Sequence, residues 1–351
     1  MSNIIHLYQP KPLKISILVP CWNEEKSIEK NILSCLNQTV KPHQIVVVDD
    51  SSTDGSSEIL AKYQDQITVV KTPQRLGNKS YAQEYGLQFI TGDAFVTTDG
   101  DTVLDKDFVK RIAEDFQDPE VAAVSGYVRS LKHNWLTAYR AYEYVIGQNI
   151  HKLAQSSLNY IFVLPGAASA FRTEIFKKYI SFDHDTVTED LDFTYKLHKN
   201  NLKIKYDRQA VVFTQDPSDI HSYIKQIRRW YGGGGQNLVK HLNRDLVDDP
   251  RRVFELSLIY IDGLVFSFLL WLLPIINLNL ALRYFYVMFL FIALQAAYAI
   301  IKEKRPDLIL TPVFVSFLMF VNSAIFIEQF FKEVIFRKKS LVWLSAERVK
   351  I

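Results

Sequence analysis

Acidic side chains occur in short groups along the chain, and two of these groups lie in its first hundred residues. Asp49 and Asp50 begin an acidic, hydroxyl-rich turn that runs to Gly55, while Asp99 and Asp101 are separated by one glycine. Carboxylates can accept hydrogen bonds from a nucleoside, and a pair spaced by one residue can bind a hard divalent cation. Helix capping explains the first group equally well, and Asp-Gly-Asp is common in ordinary turns. Neither group decides a function alone.

Two further groups lie later in the chain. Residues 188–190 read Thr-Glu-Asp within an acidic stretch, where a half-buried carboxylate can take a proton from an attacking hydroxyl, although such stretches are usually solvated. Gln226, Arg229 and Trp230 precede the four glycines 232–235. Arginine matches phosphate oxygens, tryptophan offers a flat face to a sugar ring, and glycines allow a loop to move. An amphipathic helix at a membrane surface has the same composition.

The elements that hold these groups are predicted to alternate between strands and helices. Continuous apolar, mostly β-branched runs predict four buried strands, at residues 15–19, 45–48, 67–70 and 94–97. Apolar residues at helical spacing predict helices between them, and right-handed crossovers then require a mostly parallel sheet. Ligands of such sheets gather at the carboxyl ends of the strands. The two acidic turns follow the second and fourth strands, and Lys79 lies in the loop after the third, so we expect them to meet at one edge.

Composition excludes several classes of protein. The 351 residues are 48% hydrophobic, which is enough for a catalytic domain of about 250 residues and a smaller second part. A net charge of +3 provides no basic field for nucleic acid. The two cysteines, Cys21 and Cys35, cannot build a disulfide framework and fit a reducing compartment. Residues 1–12 form an arm with two prolines and no apolar run, so we expect neither a signal peptide nor an N-terminal span.

Charge almost disappears after about residue 253, which indicates a membrane region. Three apolar runs, at about residues 256–276, 284–301 and 308–330, are each long enough to cross a hydrocarbon core of about 30 Å. We therefore predict three regions: a cytosolic domain at 13–250 that includes interface helices, a membrane region at 251–331 with two to three transmembrane helices, and a basic tail at 332–351. Three spans would place that tail opposite the cytosolic domain, against the positive-inside preference. If one of the three apolar runs lies in the membrane interface instead of crossing the bilayer, the tail is on the cytosolic side.

The four groups, in this order and at these distances, give the chain a family resemblance. Asp49/Asp50, Asp99-x-Asp101, Thr188-Glu189-Asp190 and Gln226-x-x-Arg229-Trp230 resemble the motifs of inverting glycosyltransferases of family 2. The similarity is greatest to the membrane-bound branch with cellulose, chitin, hyaluronan and poly-N-acetylglucosamine synthases and ceramide glucosyltransferases. It covers roughly residues 13 to 235 and implies a GT-A fold, an α/β architecture with a Rossmann-like, mostly parallel sheet, here followed by C-terminal transmembrane helices. It also implies Mg²⁺ or Mn²⁺ as cofactor.

Roles are then implied for the matched residues. Asp190 would be the general base, and Asp99 with Asp101 would bind the metal. Donor contacts are expected from Asp49, Asp50, Lys79, Asp99, Gln226, Arg229 and Trp230. The segment 164–172 resembles the family's loop beside the acceptor, so weaker acceptor contacts are expected from Gly166, Arg172, Glu189 and Trp230. Two departures stand out: Glu84 occupies a position where many relatives have Asn, and no Phe-x-Val-Thr-x-Lys gating segment follows the apolar runs. The second makes a translocation channel doubtful.

We predict a membrane-anchored, multi-pass inverting glycosyltransferase with its catalytic domain on the cytosolic side of the cell membrane. It would transfer a sugar from a nucleotide-diphospho-sugar, UDP-linked by resemblance, to a glycan or lipid-linked acceptor with inversion to a β-linkage. Polysaccharide extension and single-sugar transfer to a membrane lipid, such as polyprenyl phosphate, diacylglycerol or a ceramide-like lipid, both stay open. The amphipathic pattern from Trp135 to Leu153 would line the acceptor's approach, although core packing explains it equally well.

Two other classes compete with this prediction. A nucleotidyltransferase would need a glycine-rich phosphate loop with an arginine after the first strand, where this chain reads Trp22-Asn23-Glu24-Glu25. A non-catalytic membrane scaffold could keep the fold, but it would have no need of the intact acidic groups.

Overall fold

One mixed, mostly parallel sheet organises the first part of the chain. The computed structural model describes residues 13–245 and 250–341; the N-terminal arm and residues 342–351 of the basic tail lie outside them. The strands are β1 (Ile15–Cys21), β2 (Gln44–Asp49), β3 (Thr68–Lys71), β4 (Ala94–Thr97), β5 (Val103–Leu104), β6 (Val121–Ser130), β7 (Ser169–Arg172) and β8 (Lys203–Thr214). Their order in the sheet is β3-β2-β1-β4-β7-β6-β8-β5. β1 pairs in parallel with β2 and β4, β2 with β3, and β6 with β8, while β7 is antiparallel to β4 and β6, and β5 to β8.

Helices cover both faces of this sheet and continue beyond it. They are α1 (Ile28–Leu36), α2 (Ser56–Ala61), α3 (Lys79–Leu87), α4 (Phe108–Asp115), α5 (Trp135–Ile146), a π-helical turn (Gly147–His151), α6 (Lys152–Ser157), α7 (Thr173–Tyr179), α8 (Glu189–Lys199) and α9 (Ile220–Asp245). The C-terminal part contains α10 (Pro250–Ile276), α11 (Leu278–Glu303), a 3₁₀ turn (Pro306–Leu310), α12 (Thr311–Gln329) and a second π-helical turn (Phe330–Ile335).

The continuous apolar runs are strands because both of their faces are buried. Ile17 and Val47 point into one core layer together with Ile32 of α1. Leu18 and Val46 point into the opposite layer, where α3 and the aromatic side chains of β4 and β7 pack. Successive strand residues alternate between the two faces, so a strand between two helical layers is mostly apolar. The buried Ser16 of β1 is polar, and its hydroxyl accepts a hydrogen bond from the Gly92 amide at 3.1 Å. The four predicted strands and the mostly parallel sheet are confirmed.

The glycine run at 232–235 was expected to form a movable loop, and this prediction is wrong. All four glycines lie inside α9. They permit close helix packing: a Cβ at Gly233 would lie 2.5 Å from the Thr188 side chain, and one at Gly234 would lie 2.8 Å from the Tyr260 hydroxyl. A helix with small residues in this position can approach its neighbours more closely than any other sequence would allow. The run thus fixes the position of the segment just before Asp190.

The C-terminal helices pack on the sheet domain at defined points. Glu303, at the end of α11, accepts a hydrogen bond from the Tyr127 hydroxyl at 3.0 Å and forms an ion pair with Arg129 at 2.9 Å. Phe314, near the start of α12, stacks on Trp135 with 4.9 Å between ring centroids. Beyond α12, the Lys339 ammonium donates to the Asp185 carbonyl at 3.2 Å. Near the other end of α12, Glu328 forms an ion pair with Arg228 of α9 at 3.0 Å. Both ends of α12 therefore lie against elements of the sheet domain, and the described part of the basic tail returns to it.

Candidate active site

A cavity of about 600 Å³ lies at the carboxyl ends of β1 and β4. One wall comes from the loops after those strands, the opposite wall from the start of α8, and the roof from α9 and the π-helical turn. Of the predicted site residues, the following line it: Asp50, Lys79, Asp99, Asp101, Gly166, Glu189, Asp190, Gln226, Arg229 and Trp230. The structure thus brings together groups that lie as much as 180 positions apart in the sequence.

Lys79 joins two of the acidic groups. Its ammonium lies 2.6 Å from Oδ1 of Asp99 and 3.1 Å from Oε1 of Glu189, and only 11% of its side chain is exposed. Burial alone would lower the pKa of Lys79, but the carboxylates of Asp99 and Glu189 raise it far above its usual value. Lys79 is therefore a permanent buried cation that fixes the distance between the two walls.

Asp190 sits beside this bridge with the properties of a general base. Its Oδ2 accepts a hydrogen bond from the Gly166 amide at 3.3 Å, and its Oδ1 accepts from the Leu191 amide at 2.9 Å. Burial raises the pKa of Asp190 to about 6, and the Glu189 carboxylate adds to the rise while the Lys79 ammonium opposes it. A carboxylate with a pKa near 6 is ionised at neutral pH and is more basic than a solvated aspartate. Asp190 can therefore accept a proton from an acceptor in this cavity.

Asp99 and Asp101 are the carboxylates available to bind a divalent cation. Asp101 is buried and lines the cavity, whereas Asp99 also faces Lys79. Within the described residues no cluster of three or more His, Cys, Asp or Glu side chains is arranged to hold a metal. Mg²⁺ and Mn²⁺ are often held by one or two carboxylates together with substrate phosphates and water, so two carboxylates at the edge of a cavity fit such an ion. The protein would hold this metal jointly with its donor substrate.

The two aspartates after β2 have mainly structural contacts. Asp49 does not line the cavity; its carboxylate accepts from the Ser52 amide at 2.9 Å and the Ser57 hydroxyl at 2.5 Å and so holds the turn between β2 and α2. The structure therefore does not bring Asp49 to the cavity with the other predicted donor-binding residues. Asp50 does line the cavity, but it accepts from the amides of Leu76 and Gly77 at 2.7 and 3.2 Å. Asp50 shapes the loop that leads to Lys79.

Arg172 was expected near the acceptor, and the structure corrects this expectation too. Its guanidinium donates to the carbonyl oxygens of Phe116, Asp118 and Val121 at 2.8 to 2.9 Å, and it does not line the cavity. Arg172 thus ties the end of β7 to the turn before β6. Gly166 of the same predicted segment is in the site: a Cβ there would lie 2.8 Å from the Lys79 nitrogen.

On α9, the three predicted residues form the roof of the cavity. The side-chain oxygen of Gln226 is buried and has no hydrogen-bond donor among the described residues. The Trp230 ring packs under the guanidinium of Arg140, 4.6 Å from its centroid. Arg140 is itself held by Asp216 at 3.2 Å, so a buried ion pair fixes the orientation of the Trp230 ring.

The comparison with known families decides what kind of domain surrounds this cavity. Residues 16–180 of the chain match the family 2 glycosyltransferase domain, by the profile described as "Glycosyl transferase family 2". The predicted family resemblance is thereby confirmed.

Curated relatives of this chain include polysaccharide synthases. A poly-beta-1,6-N-acetyl-D-glucosamine synthase of Staphylococcus epidermidis is 28% identical over 230 residues, which are 64% of this chain and 56% of the relative. The corresponding protein of Staphylococcus aureus is 26% identical over 229 residues, with the same coverage of both chains. The chain therefore spans about half the length of the curated relatives it matches.

Solved structures confirm the GT-A fold. A mannosyltransferase of Pyrobaculum calidifontis, solved with GDP-Man and Mn²⁺, aligns with a TM-score of 0.64 at 20% identity and covers 94% of this chain and 89% of that one. TarS of Staphylococcus aureus, solved with UDP, aligns with a TM-score of 0.51 at 21% identity over 66% of this chain and 67% of that one. The first of these alignments extends into the C-terminal helices.

The cavity lining also includes residues that the sequence prediction did not assign to the site, among them Trp22, Arg75, Lys152 and Asp216. Trp22 has a buried indole nitrogen without an acceptor in the described chain, and the Arg75 guanidinium lies 3.6 Å from its ring centroid. Trp22 and Arg75 follow β1 and β3, so the rule that placed the acidic turns at strand ends could also have found them. Lys152 and Asp216 lie outside any recognised motif, and only the folded structure brings them to the cavity.

Substitution of Gly233 tests whether α9 positions the catalytic segment. In a solvated helix Gly→Ala is stabilising by about 1 kcal/mol, but here the new Cβ would meet Thr188 at 2.5 Å. We expect Gly233→Ala to lower the free energy of unfolding by about 1–3 kcal/mol, as overpacking does, and to reduce turnover because Thr188 precedes Asp190 by two residues. Thermal unfolding and initial rates measure both effects.

Gly147→Ala is the matched stability control, since a Cβ at Gly147 meets nothing within 4 Å. It should leave the unfolding midpoint unchanged or raise it. Equal unfolding midpoints for the two variants would mean that Gly233 has no packing role.

Proposed function

We propose that the chain is an inverting glycosyltransferase that moves a sugar from a nucleoside-diphosphate donor to an acceptor hydroxyl in one displacement. The observation that carries the proposal is the cavity in which Asp99 and Asp101 on one wall meet Asp190 on the other, with Lys79 between them. We assign one carboxylate in this arrangement, that of Asp190, as the base, and a single displacement needs no covalent intermediate. An α-linked donor would therefore give a β-linked product.

Each step of the displacement has a candidate group. The Asp190 carboxylate takes the proton of the acceptor hydroxyl as that oxygen forms its bond to the anomeric carbon. The bond between that carbon and the diphosphate oxygen breaks, and the departing charge lies near Arg229 at the roof of the cavity. Asp99 and Asp101 would hold a Mg²⁺ or Mn²⁺ ion, which supplies further charge neutralisation to the leaving group.

The donor and acceptor classes follow from the relatives. Poly-GlcNAc synthases and TarS, whose structure has been solved with UDP-GlcNAc, favour a UDP-sugar, while the archaeal mannosyltransferase was solved with GDP-Man. We favour a UDP-linked hexose or N-acetylhexosamine donor and a glycan or lipid-linked acceptor. The curated relatives with the matching domain are polysaccharide synthases, so both extension of a glycan and transfer to a lipid-linked acceptor are included in the proposal.

We also infer that the C-terminal helices associate with a bilayer. The segments Leu278–Glu303 and Pro306–Ile335 are long and apolar enough to cross one, with mean hydropathies of 2.0 and 2.1, and few of their residues are buried. Residues such as Ile275 and Ile301 expose more than three quarters of their surface, which is unfavourable in water. The apolar part of α10, Tyr260–Ile276, is shorter than these two segments. Because both ends of α12 contact the sheet domain, we nevertheless propose that α10 and α11 form the inserted hairpin and that the segment with α12 lies at the interface. This arrangement keeps the basic tail on the cytosolic side.

A donor screen on the purified, detergent-solubilised protein tests the proposal. UDP-glucose, UDP-N-acetylglucosamine, UDP-galactose, UDP-glucuronate and GDP-mannose would be supplied with Mg²⁺, Mn²⁺ or chelator, and nucleotide release and product size would be measured. Metal-dependent release that needs an acceptor is expected with one donor class, and a ladder of products would identify a polymerase. Absence of turnover with every donor, with lipid extracts supplied as acceptors, would contradict the proposal.

The pH dependence of turnover gives an independent test of the base. Asp190 must be deprotonated to act, and its pKa is raised to about 6, so kcat should be lost as the pH falls through about 6 and be constant just above neutrality. The Glu189 carboxylate contributes to this raised pKa, so Glu189→Gln should move the midpoint to lower pH. Rates at saturating donor between pH 5 and 8 measure both midpoints. A wild-type midpoint near pH 4, typical of a solvated aspartate, would argue against a buried base.

A further inference from the structure

A buried lysine at the far end of the cavity takes no part in the mechanism above. Lys152 is 7% exposed, its ammonium donates to the Ser125 hydroxyl at 3.2 Å, and it lies 5.7 Å from the centroid of the Tyr206 ring. No carboxylate in the described part of the chain forms an ion pair with it. Burying an ammonium without a counter-charge is strongly unfavourable, so such a group is retained where a ligand supplies the negative charge.

The local charge balance agrees with this interpretation. Burial lowers the pKa of Lys152 to about 8, and the Asp190 carboxylate opposes that fall without reversing it. The protein thus compensates the positive charge of Lys152 only in part, although Asp190 is close enough for the two charges to interact. One small head group could therefore contact Lys152 at one end and Asp190 at the other.

Lys152 belongs to a helical face that lines the cavity. Gln148, His151 and Gln155 lie at helical spacing around it, and all three line the cavity with it. His151 is also solvent-exposed, so the cavity opens at this point of the π-helical turn. Polar groups that converge on a buried cation at a cavity mouth are typical of a subsite for an anionic ligand.

The outer face of the same segment is apolar. Ile150 and Leu153 expose 43% and 42% of their surfaces, on either side of His151 and Lys152. They continue the side of α5 on which Tyr142 and Ile146 pack against α11. The cavity mouth therefore adjoins an exposed apolar surface that leads to the helices we assign to the bilayer, and this arrangement suits a ligand with an apolar chain.

We propose that Lys152 binds the phosphate of a lipid acceptor, whose acyl chain leaves the cavity over Ile150 and Leu153. This inference rests on the proposed function and narrows its acceptor class, because a neutral glycan or a neutral lipid would leave Lys152 uncompensated. The hydroxyl that attacks the sugar belongs to the same head group and reaches Asp190.

The test compares matched ligands that differ only in the phosphate or in the acyl chain. Oleoyl lysophosphatidic acid carries a phosphate, a free hydroxyl and an acyl chain; monooleoylglycerol lacks the phosphate, and glycerol 3-phosphate and inorganic phosphate lack the chain. Binding to the full-length protein would be measured at constant detergent concentration for wild type, Lys152→Gln, Lys152→Arg and the surface control Lys110→Gln. Lys110 is 45% exposed and lies on α4.

We expect wild type to bind lysophosphatidic acid about 10- to 100-fold more tightly than monooleoylglycerol, as a charge-assisted hydrogen bond implies. Lys152→Gln should abolish the difference, Lys152→Arg should keep part of it, and Lys110→Gln should leave it unchanged. The unfolding midpoint of Lys152→Gln should not fall, because the variant removes an uncompensated buried charge. A merely structural lysine would show the opposite, a lower midpoint with the same ligand preference.

Three results would overturn the proposal. They are equal binding of the two lipids by wild type, an unchanged preference in Lys152→Gln, and binding of glycerol 3-phosphate or inorganic phosphate as tight as that of the lipid. The last result would identify a site for a free phosphate. These measurements report binding and are therefore independent of the donor screen. A protein that is inactive in the screen but discriminates between the lipids refutes the proposed function. A protein that is active but does not discriminate between them refutes only this inference.

Discussion

Asp190→Asn is expected to reduce kcat by about 10²–10⁴-fold while donor affinity changes by less than about twofold. The amide keeps the shape of the carboxylate but cannot accept the acceptor's proton. The Gly166 amide donates to Oδ2 and the Leu191 amide to Oδ1, so the asparagine keeps an acceptor for one of these two amides. Initial rates of nucleotide release and equilibrium binding of the donor nucleotide measure the two quantities separately.

Asp65→Asn is the matched control, because Asp65 is exposed and far from the cavity. It should leave both quantities unchanged. A loss of donor affinity in Asp190→Asn as large as its loss of rate would instead make Asp190 a donor ligand. Retention of more than about a tenth of the rate would exclude Asp190 as the base.

The first half of the fold was predictable because its signals are local. A strand buried on both faces has to be continuously apolar, and the runs that end at Val19, Val48 and Thr97 are short, bounded and regularly spaced. The later strands carry weaker signals. β7 has only four residues and pairs antiparallel with both neighbours, and β8 contains Lys203, Lys205 and Asp207 because that end of the sheet is partly exposed. β7 is too short to show a pattern, and the alternation of exposed and buried residues in β8 covers only its first four residues.

The site was predictable only in part, since a residue's type does not reveal which partner it takes. Asp49 and Asp50 are adjacent carboxylates, yet Asp49 holds the turn before α2 and Asp50 faces the cavity, because successive residues at the end of a strand point to opposite sides. Arg172 was assigned to the acceptor by family resemblance, but nearby carbonyl oxygens take all its described hydrogen bonds. Glycines 232–235 predicted mobility when read alone, and only their neighbours reveal a packing role.

Lys79→Met is expected to destabilise the fold by about 3–5 kcal/mol at pH 8, the usual loss when one partner of a buried ion pair is removed. Methionine fills a similar volume, but Asp99 and Glu189 would then face each other across a buried space without a counter-charge. Denaturant unfolding at pH 8 and pH 5 measures the effect. The loss should be smaller at pH 5, since uncompensated buried carboxylates take up protons more readily.

Two comparisons make the Lys79 result interpretable. Lys71→Met removes the same charge at an exposed position of β3. It should change the free energy of unfolding by less than about 0.5 kcal/mol. Lys79→Arg keeps the cation but must fit beside Gly166, whose Cα hydrogens face the lysine nitrogen, so it should restore stability incompletely. The ammonium of Lys79 also lowers the pKa of Asp190. Any residual activity of Lys79→Met should therefore have its pH midpoint above 6, and an unshifted midpoint together with wild-type stability would mean that Lys79 does not connect the metal-binding wall to the base.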